Sequence, residues 1–378
     1  MAQDQLVRHG AMSLRFHWSL SRVGDNLRAA RPMAEQTGLL SFEAQIDFCR
    51  RAEDCGIESV LMAFSFTRPD PILLSLALGM KTEKLKFMVA IRSGIVSPTL
   101  FVQQINTISA MTGGRVCINM VTGHTPHELG YYGDFLPHDE RYARTDEFLS
   151  ICRAFWRRDG EVNFNGKYYR IENGKVNLPF ISDETTSPEI YLGGNSQIAD
   201  ELAVKHADCL WRFPDAPEKL RPRIQPIVSQ GTEVGLLVSL IARTTREQAV
   251  LDAHSLIETV GAKSREFQKE ALRRSDSIGI RTNFKLAESN ESEWLTPNLW
   301  TGAIPYLGAP AIALVGSYEE IASAIIDYKQ IGISQFLFMG WPDVDEMIVF
   351  SRKVLPLIRE REQESGTQGH PDRLRKIS

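Results

Sequence analysis

The sequence predicts an α/β fold, a (β/α)8 barrel in which eight parallel strands close into a ring surrounded by helices. Two observations support this prediction. Eight short apolar runs rich in β-branched or aromatic residues recur along the 378 residues, and helical patterns separate them. No GxGxxG turn follows the first run, which disfavours the alternative, an open doubly wound sheet that binds a dinucleotide. Parallel strands need crossover helices, and right-handed crossovers wrap them to one side of the sheet.

The first half of the chain alternates strands with helices. Strands are predicted at residues 14–18, 60–63, 85–91 and 115–121, and helices at residues 42–55, 70–80, from 98 onward and at 140–157. Ser41 is placed to cap the first of these helices, and Gly56 is placed to end it. Pro98 falls in the first turn of the third, where its missing N–H costs nothing.

The second half continues the alternation and adds two insertions. Strands are predicted at residues 190–192, 209–211, 235–242 and 336–339, with helices ending near 206 and covering 343–358. Residues 162–180 carry two Asn-Gly turn signals and predict a small β-hairpin. Residues 264–310, a long insertion before the last strand, are expected to lie over the barrel mouth as a lid. We expect one barrel domain over 1–360 and a polar, disordered tail over 361–378.

Composition excludes several classes of function. The net charge is −4 and no long basic run is present, which disfavours nucleic acid and anionic membranes as partners. No apolar stretch is long enough to span a membrane and the first residues lack an apolar signal core, so a cytoplasmic protein is expected. The five cysteines are odd in number and lack metal-ligand spacing, so neither a disulfide framework nor a metal site is expected.

The loop after the fourth predicted strand is the strongest candidate for a ligand site. In α/β proteins, ligands are bound by loops that leave the carboxyl ends of the strands. Five polar side chains cluster on this loop and on the start of the following helix: Asn119, Thr122, Glu128, Arg141 and Tyr142. Each alone is ordinary loop polarity, whereas together they indicate a binding site.

Five motifs, in their order and spacing, resemble the bacterial luciferase-like flavin monooxygenases, most closely the alkanesulfonate monooxygenase branch. They lie at residues 119–123 (NMVTG), 138–142 (HDERY), 193–196 (GGNS), 297–300 (PNLW) and 313–316 (ALVG). The resemblance implies a barrel that binds FMN, as FMNH2 supplied by a separate flavin reductase. The reduced flavin reacts with O2 to a peroxyflavin that oxygenates a small organic substrate. Family members are dimers or tetramers, which implies a homodimer or homotetramer.

The resemblance also implies roles for the residues that bind the flavin. Tyr142 and Ser196 match residues that hold the flavin phosphate, together with the Gly193-Gly194 turn. The physics agrees, because glycine lets backbone N–H groups approach and the next helix N-terminus favours an anion. Asn195 or Ser196 could instead only cap that helix. Arg141 would add positive charge, although an arginine at a helix start is more often solvent-facing.

Further matching residues surround the isoalloxazine ring in related enzymes. Asn119 and Glu128 are expected near the ring, with Asn119 hydrogen-bonding its edge, although Glu128 could equally be ordinary loop polarity; Thr122, on the same polar loop, is expected to bind the cofactor. The alternative for Asn119 is a satisfied buried amide that ties loops together. Phe64 and Ser65 match a position that borders the ring, and Phe64 could equally be part of the core.

Departures from the sulfonate branch concern the substrate pocket. Arg68 stands where that branch has a cysteine, and Leu237 and Ser239 stand where it has an arginine and a histidine. Leu307 aligns with an arginine of the lid, and Trp341 replaces a tyrosine after the last strand. An alkylsulfonate needs charge-assisted donors, so the pocket is expected to accept a less anionic substrate. Arg68 would restore one positive charge, which leaves an acidic substrate open.

Three residues are candidates for catalysis, and three functions are open. Arg68 and Trp341 are candidates because they replace substrate-pocket residues of the relatives. His17 is a candidate because its strand is expected to direct it into the barrel mouth, where it could act as an acid or base. The leading function is the two-component FMNH2-dependent monooxygenase, by electrophilic or nucleophilic oxygen transfer. The alternatives are a deazaflavin-dependent hydride-transfer enzyme on the same barrel and a non-catalytic flavin-binding relative.

Overall fold

The computed structural model describes residues 13–20, 41–123, 125–289, 292–339 and 344–368. The strands in these ranges are β1 (Arg15–Ser19), β2 (Ser59–Met62), β3 (Lys86–Ile91), β4 (Val116–Met120), β5 (Val162–Asn165), β6 (Arg170–Gly174), β7 (Ile190–Gly193), β8 (Cys209–Arg212), β9 (Glu233–Arg243), β10 (Leu299–Trp300), β11 (Ala313–Ser317) and β12 (Ile333–Phe338). Eight of them form a closed parallel barrel in the order β1-β2-β3-β4-β7-β8-β9-β12, because β12 pairs with both β9 and β1. The predicted fold class and the eight predicted barrel strands are confirmed.

Helices surround this barrel. They are α1 (Phe42–Asp54), α2 (Pro71–Gly79), α3 (Pro98–Thr112), α4 (Pro126–Tyr131), α5 (His138–Arg157), α6 (Gln197–His206), α7 (Pro217–Val228), α8 (Arg246–Arg274), α9 (Ile278–Ser289), α10 (Ile304–Leu307), α11 (Tyr318–Gln330), α12 (Val344–Val349) and α13 (Leu355–Gln368). A π-helical turn over Phe350–Val354 joins α12 to α13, and Gly261 interrupts α8 with a positive φ of 72°. Within the described ranges, no helix is both long enough and apolar enough to cross a membrane.

Local signals in the sequence account for the ends of the predicted helices. Pro98 is the first residue of α3, and the side chain of Ser97 before it accepts from Leu100 N at 3.3 Å. Gly113 ends α3 with a left-handed φ of 67°, a conformation that favours glycine. Ser41 is the N-cap of α1 as expected, although its side chain makes no capping hydrogen bond.

The hairpin insertion is confirmed as β5 and β6, which pair antiparallel. The Glu147 carboxylate on α5 accepts hydrogen bonds from the backbone N–H groups of residues 167, 168 and 169, which form the turn of the hairpin. The Tyr169 hydroxyl donates to the carbonyl of Ser93, two residues beyond β3. The hairpin therefore braces the loop that leaves the carboxyl end of β3.

Two strands that the sequence did not predict, β10 within the lid insertion and β11 directly after it, extend the sheet outside the barrel. The first half of β9 closes the barrel, and its second half pairs in parallel with β11, with Ser239 opposite Ala313. The two-residue β10 pairs antiparallel with β11 on the outside. Near the start of α9 the insertion reaches the barrel mouth, where Asp276 pairs with Arg141. The insertion thus covers part of the mouth and also builds a small extension of the sheet.

The prediction that residues from 361 onward are disordered is wrong for 361–368, which continue α13. Glu362 explains the difference, because its carboxylate accepts from Leu14 N at 2.7 Å and pairs with Lys329 and Arg359, both at 2.6 Å. These contacts fix the last helix to the start of β1. Residues 369–378 lie outside the described residues.

An ionic network closes the amino end of the barrel. The Arg15 guanidinium contacts Glu58 at 2.5 Å and Glu189 at 2.6 Å, and it donates to the Tyr191 hydroxyl at 3.0 Å. These partners lie at the starts of β2 and β7, so one arginine of β1 joins three strands across the barrel. The network, with burial opposing it, holds the pKa of Glu58 at about 2. These ion pairs hold the strands together at the amino end of the barrel. In proteins of this fold, ligands bind at the opposite, carboxyl end.

Candidate functional site

The carboxyl ends of β4, β7 and β8 bring Tyr142, Gly194 and Ser196 together at the barrel mouth. Tyr142, in the first turns of α5, is buried, and a Cβ built on Gly194 would lie 3.2 Å from its hydroxyl oxygen. Ser196 caps α6, since its side chain accepts from Ala199 N at 3.3 Å. The first backbone N–H groups of a helix lack partners within the helix, so its N-terminus favours an anion.

Arg212, at the end of β8, adds a positive charge that sequence reasoning missed. Its side chain is 3% exposed, donates to the Gly194 carbonyl at 3.1 Å and pairs with Asp200. Its Nε has no hydrogen-bond partner among the described residues. Burial lowers the pKa of this guanidinium, with Asp200 opposing that effect. An arginine ending an apolar strand run (Leu210-Trp211-Arg212) is the signal that could have identified it.

The residues around Gly194 present donors of the kind that hold a phosphate group. Because residue 194 is glycine, the turn lies close to Ala199 Cβ and to the Tyr142 hydroxyl, 2.4 and 3.2 Å from where a Cβ would stand, and these residues form a cradle. A helix N-terminus, a hydroxyl and a buried arginine are the donors that phosphate prefers in proteins. Asn195, next to the cradle, lies against Gly279 of α9, within 3.3 Å of a Cβ built there. The predicted phosphate residues are thus adjacent, and the lid insertion borders them.

Arg141 is buried, which contradicts the solvent-facing interpretation of it from the sequence. It is 1% exposed, so it does not face solvent. Its guanidinium donates to the carbonyls of Thr122, Gly123 and Leu136 and pairs with Asp276 at 2.6 Å. Because each of its three nitrogens has a protein partner, Arg141 ties the β4 loop to α5 and to the lid insertion. Thr122 contributes its carbonyl to this clamp.

Glu128 and Phe64 meet around a second arginine that the sequence analysis did not select, Arg92 directly after β3, and Asn119 lies on the neighbouring strand β4. The Glu128 carboxylate pairs with Arg92 at 3.1 Å, and the guanidinium carbon lies 4.9 Å from the centre of the Phe64 ring. Asn119 is buried at the end of β4, and its Oδ1 has no hydrogen-bond partner in the described part of the chain. The alternative interpretation of Asn119 as a fully satisfied amide is therefore wrong.

Ser65 and Arg68 lie on the loop after β2, at the edge of the mouth. The Ser65 hydroxyl is within 3.1 Å of the Thr67 hydroxyl, a contact within the loop itself. Arg68 donates to the carbonyl of Leu20 at 3.2 Å and so joins this loop to the end of β1. Of the other substrate-pocket candidates, Trp341 lies outside the described residues.

The positions that depart from the sulfonate branch are not all at the mouth. The Ser239 hydroxyl donates to the carbonyls of Pro310 and Met339, which ties β9 to the insertion and to the end of β12. Leu237 packs against the barrel interior near Trp211. Leu307 is partly buried and packs against the apolar cluster that includes Ala253 of α8 and Trp300 of β10.

His17 lies inside the barrel and not at its mouth, so its predicted position is wrong. It is fully buried, and the Tyr191 and Trp211 rings lie edge-on to it at 5.7 and 5.6 Å. Its Nδ1 is 2.8 Å from the Ser59 hydroxyl and its Nε2 is 2.9 Å from Gln335 Oε1. Ser59 begins β2, which places His17 near the amino end. Alternation along a strand gave the correct side of the sheet but not the height in the barrel.

The His17 environment predicts a loss of stability in acid. Burial lowers the pKa of His17 from 6.5 to about 4, against the opposing effect of Glu58. The unfolded chain therefore takes up the proton first, so this contribution is complete above pH 6.5 and is lost as the pH falls towards 4. The full difference corresponds to about 3 kcal/mol of unfolding free energy.

Urea unfolding of the wild type and of His17→Gln over this pH range measures the effect. The variant cannot take up a proton at this site, so its unfolding free energy should fall less in acid than that of the wild type. Parallel pH profiles for the two proteins would show that His17 titrates normally in the fold. Comparing the slopes removes the contributions of other groups that titrate in the same range.

Comparisons with known proteins agree with this architecture. The chain resembles the solved structures of riboflavin lyase with modified FMN and riboflavin, and of EDTA monooxygenase from Chelativorans sp. BNC1. Each has a TM-score of 0.71 and 17% identity, covering 93% of this chain and 92% and 94% of the other. It also resembles an F420-dependent secondary alcohol dehydrogenase, with a TM-score of 0.64 and 18% identity, covering 92% and 100%.

A family model gives the assignment that these distant structures cannot give. The model described as luciferase-like monooxygenase matches residues 15–335, which span the barrel from β1 into β12. The match includes Tyr142 and the Gly194 turn, the Arg141 clamp and the Arg92 cluster. The chain belongs to the luciferase-like monooxygenase family.

Proposed function

We propose that the protein is a monooxygenase that uses FMNH2, delivered by a separate flavin reductase, and O2 to oxygenate a small organic substrate. The observation that carries the proposal is the cradle formed by Tyr142, Gly194 and Ser196 at the N-terminus of α6. Reduced FMN, when bound, would supply the electrons that activate O2. We further propose a homo-oligomeric, cytoplasmic protein.

The residues of the mouth would bind, orient and shield. The Tyr142 hydroxyl and the backbone N–H groups after Gly194 would hold the phosphate, and Arg212 at the end of β8 would add a positive charge. Asn119 lies on β4, next to β7 in the barrel, and would face the ring. Phe64 and Tyr132, whose ring centres are 5.2 Å apart, would help to keep water from the ring. Arg68 is the candidate cationic contact for the substrate at the mouth's edge.

A choice of cofactor tests the proposal directly. Because one of the similar structures is an F420-dependent enzyme, reduced F420 is the alternative cofactor to test. The apo protein would be titrated anaerobically with FMNH2 and with reduced F420, and O2 consumption would be followed after rapid mixing with air-saturated buffer. We expect tight binding of FMNH2 and O2 uptake that depends on it. Tight binding of F420 without binding of FMNH2 would show that the proposal is wrong.

Tyr142→Phe tests the phosphate cradle. Removing only the hydroxyl should weaken FMNH2 binding about tenfold, because it removes one hydrogen bond to a charged group. Tyr328→Phe is the matched control, since Tyr328 is a buried tyrosine on α11 whose hydroxyl donates to the Asp215 carbonyl. The control should lose some stability and keep its FMNH2 affinity. Equal affinities of the wild type and Tyr142→Phe would remove Tyr142 from the site.

A further inference from the structure

Arg92 is a buried arginine whose hydrogen-bonding capacity is largely unused. Its side chain is 6% exposed, and Nε and Nη1 have no partner among the described residues. The third nitrogen, Nη2, pairs with Glu128. A buried guanidinium normally has its donors satisfied, because an unsatisfied buried donor costs about 1–3 kcal/mol. The free donors therefore indicate a ligand that completes the site.

The guanidinium is held firmly in place. The centre of the Phe64 ring lies 4.9 Å from the guanidinium carbon and the centre of the Tyr132 ring lies 5.9 Å from it, so two aromatic rings border the cation. Glu128, on the short helix α4, fixes one edge. The loop after β3 is in turn braced by the hairpin through Tyr169 and Ser93. These contacts orient Arg92 without using its Nε and Nη1.

An unpartnered acceptor lies on the neighbouring strand. Asn119 on β4 pairs in register with Ala90 on β3, and Arg92 follows Ala90 by two residues, directly after the end of β3. Asn119 is 7% exposed, and its Oδ1 lacks a partner in the described ranges. The two strands thus present buried donors beside a buried acceptor. A ligand that satisfies both Arg92 and Asn119 must carry an acceptor next to a donor. A cyclic imide (C=O, N–H, C=O) has this arrangement.

We propose that Arg92 and Asn119 bind the imide edge of the flavin, with Asn119 accepting from N3–H and Arg92 donating to the adjacent carbonyl oxygen. This inference rests on the proposed function for the cofactor and assigns residues to the end opposite the phosphate. The phosphate cradle is on β7, Asn119 is on β4 and Arg92 follows β3, so consecutive strands, about 4.8 Å apart, lie along one cofactor. Arg92 is thereby a cofactor-binding residue, and Glu128 and Phe64 position it.

The arrangement has a consequence for redox chemistry. Reduction of a flavin places negative charge on N1 and the C2 carbonyl oxygen, so a guanidinium there stabilises the reduced form more than the oxidised form. The Glu128 carboxylate offsets part of that charge. Removing Arg92 and neutralising Glu128 should therefore shift the flavin reduction potential in opposite directions.

Arg92→Met and Glu128→Gln test the proposal by FMN titration of oxidised and reduced states and by the midpoint potential of the bound flavin. For Arg92→Met we expect about tenfold more loss of affinity for the reduced than for the oxidised form, which lowers the two-electron potential by about 30 mV. For Glu128→Gln we expect the potential to rise. A purely structural role for the pair would weaken both states equally and leave the potential unchanged.

The analogue N3-methyl FMN, which lacks the N3–H donor, tests Asn119 separately from Arg92. The wild type should bind it about tenfold more weakly than FMN, and Asn119→Leu should bind the two equally. Arg115→Met is the matched control for loss of a half-buried arginine, because Arg115 precedes β4 at the opposite end of the barrel and donates to the carbonyls of Gly79, Thr82 and Leu85. It should lower stability and leave the potential of the bound flavin unchanged.

The outcomes separate this inference from the proposed function. An effect of Arg92→Met on substrate KM alone, with unchanged flavin affinity and potential, would overturn the inference and leave the FMN assignment intact. If the apo protein binds F420 and not FMN, the proposed function fails, but the Arg92 variants can be titrated with F420, which has the same imide. Failure of the wild type to bind either cofactor would overturn both.

Discussion

Gly194→Ala is expected to reduce FMNH2 affinity on the order of 100-fold while the barrel remains folded. The added methyl group would overlap the Cβ of Ala199 in the first turn of α6 and would approach the Tyr142 hydroxyl at 3.2 Å. Relief requires the helix start or the tyrosine to move, and both border the proposed phosphate position. Overpacking costs about 1–3 kcal/mol, which a domain of this size tolerates. Fluorescence titration and thermal unfolding would measure the two effects separately.

A second substitution distinguishes steric displacement from a general defect. Ala199→Gly removes the methyl group that the new Cβ meets, so the double variant Gly194→Ala/Ala199→Gly should recover most of the lost affinity. Ala199→Gly alone should keep its affinity and lose about 1 kcal/mol of stability, because glycine disfavours the helix. If the double variant folds but does not recover its FMNH2 affinity, the steric account of the cradle is wrong.

Arg141→Met is expected to reduce the free energy of unfolding by about 3 kcal/mol, more than an average substitution. Methionine fills a similar volume but leaves the carbonyls of Thr122, Gly123 and Leu136 without their buried donor. It also removes the partner of Asp276, which is 26% exposed and can therefore be partly rehydrated. Urea denaturation would measure the loss.

The same variant should loosen the lid insertion locally. Because Asp276 joins the insertion to Arg141, we expect limited proteolysis to cut the region near 276 faster in Arg141→Met than in the wild type. Arg273→Met, three residues away and 77% exposed, is the matched control and should change stability by no more than about 0.5 kcal/mol. Wild-type stability of Arg141→Met would show that the clamp does not hold these segments together.

The barrel could be predicted from sequence because each barrel strand carries its own signal. An apolar β-branched run bounded by turn residues is a local pattern, and eight of them in series leave few topologies. The residues proposed to hold the phosphate could also be selected from the sequence, since Tyr142 and Ser196 stand in motifs that match the family in order and spacing. The small strand β11 is an apolar run too, but its pairing with the far half of β9 depends on an insertion whose path no local pattern specifies.

The residues that were missed or misplaced depend on contacts between distant parts of the chain. Arg92 becomes a candidate binding residue because Glu128, 36 residues away, pairs with it and leaves two of its nitrogens without a partner among the described residues. Arg141 was expected at the surface or at the phosphate, and its burial follows from Asp276, 135 residues away. His17 was expected at the mouth, and its height in the barrel follows from its register opposite Ser59.

Strand β9 belongs at once to the barrel and to the outer extension, and this limits how the enzyme can be re-engineered. Its last five residues, 239–243, take their backbone partners from β11, whose other edge is covered only by the two residues of β10. Excising the segment around β10 to open the mouth to larger molecules would therefore bare a row of unpaired amides and carbonyls, a template for self-association. A graft from a relative would have to carry the whole unit from Trp294 to Ser317.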